Sequence, residues 1–88
     1  MGANKGTAGI IKNRPISSTE SQIEFEVRYV GDYPFFLDQQ FITVSLSANT
    51  SEVNNKVQIA AMALINQEFG DGTITDKNDV RLNAGLVS

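Results

Sequence analysis

The chain has 88 residues, of which 41% are hydrophobic and 19% charged, with a formal net charge of −3. That length leaves room for one hydrophobic core, and the composition is that of an ordinary folded domain. The absence of cysteine and histidine excludes disulfide stapling, zinc–thiolate sites and thiol chemistry, while an acidic balance with scattered basic residues does not suit affinity built on phosphate neutralisation.

Met1 to about Gln22 is rich in Gly, Ser, Thr, Asn and Lys, and only Ile10, Ile11 and Ile16 can anchor it. This predicts an extended N-terminal arm over residues 1–22, followed by a single domain over 23–88. No apolar run of signal-peptide or membrane-spanning length occurs, so the expectation is synthesis in the cytosol and no membrane partner. Ile23–Val30 alternates apolar and charged side chains with period two and predicts a strand with Ile23, Phe25, Val27 and Tyr29 on its buried face. Gly31-Asp32-Tyr33-Pro34 supplies turn chemistry. Phe41–Ser47 alternates again, with Ile42, Val44 and Leu46 on one face and hydroxyl residues on the other.

Asn49 followed by Glu52 is a capping-box pattern, and Gly70-Asp71-Gly72 is a fitting stop, so a helix is expected from about Thr50 to Phe69. Beyond it, Thr73–Thr75 and Val80–Ala84 alternate on either side of the polar turn Asp76–Asp79, which predicts a closing hairpin. The fold class is therefore α+β: a small, mainly antiparallel sheet of three or four strands with one helix packed on it, plus the arm.

The helix is apolar almost all round over Val57–Ile65, with Gln58 its one polar residue there. Val53, Val57, Ala60, Ala61 and Leu64 form a stripe for the sheet. Ile59, Met62, Ala63 and Phe69 point largely the other way and call for a second cover. Tyr33, Phe35, Phe36 and Leu37 crowd into one short stretch and read as a contact loop, since aromatic anchors carry much of the energy at interfaces. With Ile10 and Ile11 of the arm, the expected partner-binding set is Ile10, Ile11, Tyr33, Phe35, Phe36, Leu37, Ile59, Met62 and Phe69.

Asp71–Thr75 resembles the second half of an EF-hand calcium loop, but the first and third ligand positions of such a loop fall on Gln67 and Phe69, and its closing glutamate falls on Asn78. No metal site is expected. Glu24 and Glu26 share a strand face, but nothing in the sequence suggests a pocket that would tune them for acid–base work. No catalytic residue and no cofactor are expected. The function anticipated is that of a non-enzymatic structural subunit acting through protein contacts, as a homo-oligomer or part of a larger assembly, of the kind found as a decoration, neck or tail component of a phage-like virion. The alternative is a soluble adaptor or inhibitor that binds one protein target through Tyr33–Leu37.

Overall fold

Alternation of apolar and charged side chains makes β2 (Glu20–Val30) the strand on which the rest is laid down. The computed structural model describes residues 6–30 and 34–82. In chain order the elements are β1 (Gly6–Pro15), β2, β3 (Pro34–Ser45), the helix α1 (Thr50–Phe69), a short 3-10 turn (Lys77–Asp79) and β4 (Val80–Leu82). The strands form one four-stranded sheet in the order β3-β2-β1-β4. The fold is α+β, with antiparallel pairing of β1 with β2 and of β2 with β3, and parallel pairing of β1 with β4.

The N-terminal stretch is extended from Gly6 to Pro15, and it lies inside the sheet between β2 and β4. Its small and apolar residues explain the placement. Ala8 and Ile10 are buried against the helix side of the sheet, and Gly6 lets the helix come close, since a Cβ there would sit 2.8 Å from Ile65 Cδ1. The position chosen from sequence as the start of the domain, residue 23, falls within β2. The turn from β1 into β2 is built by Ser17, whose Oγ accepts from the backbone N–H of Thr19 at 3.2 Å and of Glu20 at 3.1 Å.

Two bulges shape the sheet. In β1, Ile10 pairs with Phe25 and Lys12 with Glu24, so Ile11 is the extra residue. In β3, Leu37 pairs with Val27 and Gln40 with Phe25, so Asp38 and Gln39 together face Glu26. Gln39 takes φ 53°, the left-handed region that a non-glycine residue enters only at a cost, and Asp38 Oδ1 accepts from its backbone N–H at 2.9 Å.

The helix has the expected bounds. Asn49 Oδ1 accepts from the Glu52 backbone N–H at 2.8 Å, and Gly70, at φ 112° and ψ 152°, ends the helix in a region open essentially to glycine alone. Val53, Val57, Ala61 and Ile65 recur every fourth residue and are fully or nearly fully buried. They meet Ala8, Ile10, Ile23, Phe25, Val27 and Val44 from the sheet, and Ile74 and Val80 close the core.

The closing hairpin predicted after the helix does not form. Thr73–Thr75 is not a strand, and β4 runs parallel to β1. A parallel strand must be reached by a crossover, and α1 is that crossover, leading from β3 at one edge of the sheet to β4 at the other. The amide of Asn66 supplies what a hairpin partner would have supplied: Nδ2 donates to Ile74 O at 2.9 Å and Oδ1 accepts from Ile74 N–H at 2.8 Å. Ile74 can then be buried to 1% exposure with both backbone groups satisfied. Gln58 acts likewise, donating through Nε2 to Val80 O at 2.9 Å.

Candidate protein interface on the sheet

Register decides which side chains leave the core. On β3, Phe35, Leu37, Gln40, Ile42 and Val44 share the helix-covered face, opposite Tyr29, Val27, Phe25, Ile23 and Ser21 of β2. Phe36, Phe41, Thr43 and Ser45 fall on the outer face, on which no helix of the described residues lies. Phe36 is 45% exposed and Phe41 50%. The Arg28 guanidinium carbon lies 4.4 Å from the centre of the Phe36 ring, a cation–π contact that holds the ring without covering it. Glu24 is flanked in register by Lys12 on one side and Phe41 on the other.

The residues singled out from sequence divide between core and surface. Ile10 is buried at 3% exposure and serves the core; the bulge then places Ile11 at the surface, 41% exposed. The aromatic stretch from Pro34 is the first half of β3, not a loop, so its side chains alternate. Phe35 and Leu37 turn inward and pack against the core, while Phe36 turns out. Tyr33 lies outside the described residues. Phe69 stacks with Tyr29 at 4.7 Å between ring centres and meets Phe35 edge-on at 5.2 Å. These three rings close one end of the core. Met62 also packs against the core, which leaves Ile59, 45% exposed, as the large apolar side chain on the outer side of the helix.

The second apolar face of the helix is thus narrower than its composition implied, because Met62 and Phe69 reach the core from its flanks. Exposure moves to the sheet and its rim, where Phe41, Ile16 and Leu46 join Phe36 and Ile11. Phe41 carried a signal in the sequence, as the one aromatic on the hydroxyl phase of its strand.

Glu24 and Glu26 lie side by side on the outer face, in partly exposed positions. Among the described residues no group of three or more acidic, histidine or cysteine side chains is placed to hold a metal ion, and no helix is long and apolar enough to cross a membrane. Compared with protein-family models, curated proteins and solved structures, the chain matches none of them.

Proposed function

We propose that this chain is a non-enzymatic structural subunit that works through protein–protein contacts in a larger assembly, of the kind that a decoration, neck or tail component makes in a phage-like particle. The observation that supports it most directly is the exposure of Phe36 and Phe41 on a sheet face that no helix of the described residues covers. A small domain gains stability by burying such groups against a neighbour. The adaptor reading keeps less support, because Phe35 and Leu37 are committed to the core and leave Phe36 as the exposed aromatic among the described residues of that stretch.

The test is the solution mass of the full chain by light scattering across a range of concentrations. A defined oligomer is expected. A monomer at every concentration, with no binding to co-expressed partner subunits, would sink the reading. Deleting the first 21 residues is not a usable variant, since it removes β1 from the middle of the sheet.

A further inference from the structure

The sheet has two free edges among the described residues, and their chemistry differs. β4 pairs Gly6–Ala8 of β1, so among the described residues Gly9–Pro15 has no neighbour on that side. This edge carries Lys12, Arg14 and Pro15, the residue types that keep sheet edges from pairing. β3 is the terminal strand at the other side, and from Gln40 to Ser45 it reads Gln-Phe-Ile-Thr-Val-Ser, with no charge, no proline and strong β-formers.

The backbone of that segment points the right way. Leu46 N–H donates to Thr19 O at 2.9 Å across the β2–β3 pair. Hydrogen-bonded and non-bonded pairs alternate along an antiparallel ladder, so Ile42 and Val44 also direct their backbone groups to β2. Phe41, Thr43 and Ser45 direct theirs off the free edge. The bulge at Asp38-Gln39 bounds the run on one side, and the turn in which Ala48 N–H donates to Ser45 O at 3.0 Å bounds it on the other.

We propose that a second copy of this chain pairs antiparallel along β3 about a two-fold axis at Thr43, joining two four-stranded sheets into one. This rests on the assembly reading above and names its interface. Antiparallel pairing is what a two-fold axis normal to the sheet produces, and it keeps outer-face residues beside outer-face residues. Centred on Thr43, it sets Thr43 against its own copy, Phe41 against Ser45, and Ile42 against Val44, clear of the bulge. Self-pairing here brings no like charges together, whereas self-pairing along β1 would oppose Lys12 and Arg14 to their copies. Each Phe41 ring gains a neighbouring strand beside it on the outer face.

The chain has no cysteine, so single cysteines report on the interface without background. In full-length protein under mild oxidation, Thr43→Cys is expected to give a disulfide-linked dimer, because opposed residues in a hydrogen-bonded pair lie about 5.5 Å apart at Cα, within disulfide reach. Phe41→Cys alone is expected to stay unlinked, while a mixture of Phe41→Cys and Ser45→Cys chains links. Thr43→Lys, which opposes two cations at the axis, is expected to return the dimer to a folded monomer with a native circular dichroism spectrum and a lower melting temperature. An oligomer that cross-links through Ile59→Cys or Lys12→Cys but not through Thr43→Cys would overturn the edge pairing and leave the assembly reading standing. A monomer with no cross-link at any of these positions, and no binding to co-expressed partner subunits, would overturn both.

Discussion

The two halves of β1 differ more from each other than β1 differs from its neighbours. From Gly6 to Ile10 the strand lies between β2 and β4 and beneath α1, and all but Thr7 are buried; from Ile11 to Pro15 every residue is exposed. The change falls at the Ile11 bulge, just beyond the end of the β4 pairing. One strand therefore serves both as the middle of the core and as a charged rim. The difference teaches that burial here follows what lies across each face and edge, and that the apolar character of a residue decides less: Ile10 and Ile11 are the same side chain with opposite fates.

Substitutions at three positions test that division, in falling order of effect. Ile10→Ala removes a buried branched side chain and leaves a cavity, and is expected to cost about 2–5 kcal/mol in chemical denaturation. A cost below about 1 kcal/mol would show that the first half of β1 is not core. Asn66→Ala strips both partners from the Ile74 backbone and is expected to cost about 1–3 kcal/mol. Asn66→Asp is expected to cost a similar amount, since a carboxylate can accept from Ile74 N–H but cannot donate to Ile74 O. If aspartate restores full stability, the donor half of this contact is dispensable. Arg14→Ala, on the exposed half, is expected to change stability by less than about 0.5 kcal/mol; a larger loss would show that the rim is held by contacts of its own.

The parts of the fold legible in the sequence were those where one periodicity runs unbroken. β2 keeps its alternation from end to end, and α1 is bracketed by Asn49, whose amide oxygen caps the first turn, and by Gly70, whose lack of a side chain admits the terminating conformation. β1 and the first half of β3 were hidden for a shared reason. A bulge shifts the phase of alternation, so Phe35 and Leu37 face inward on odd positions while Gln40, Ile42 and Val44 do so on even ones. A period-two reading sees only the later segment as strand and takes the earlier one for a loop. In β1, glycine at positions 6 and 9 lowers the strand signal further, although Gly6 makes room for the close approach of Ile65. The parallel course of β4 carries no local signal, since it follows from α1 crossing the sheet, and the amides of Gln58 and Asn66 that serve this segment look on a helix like ordinary solvated residues. Of the surface, Ile11, Phe36 and Ile59 were legible as exposed apolar groups. Ile10, Phe35 and Leu37 are turned inward by the register of the sheet, and Met62 and Phe69 reach the core from the flanks of the helix.

The parallel ladder between β1 and β4 has a kinetic consequence. Gly6–Ala8 and Val80–Leu82 come from opposite ends of the described chain, so this pairing closes a loop that contains every other element. Loop-closure entropy is paid before such contacts contribute, and ladders of this kind form late and slowly. During synthesis, β1 leaves the ribosome long before its partner exists. The β1–β2–β3 meander can assemble first, but its β1 edge waits until α1 and β4 have been made.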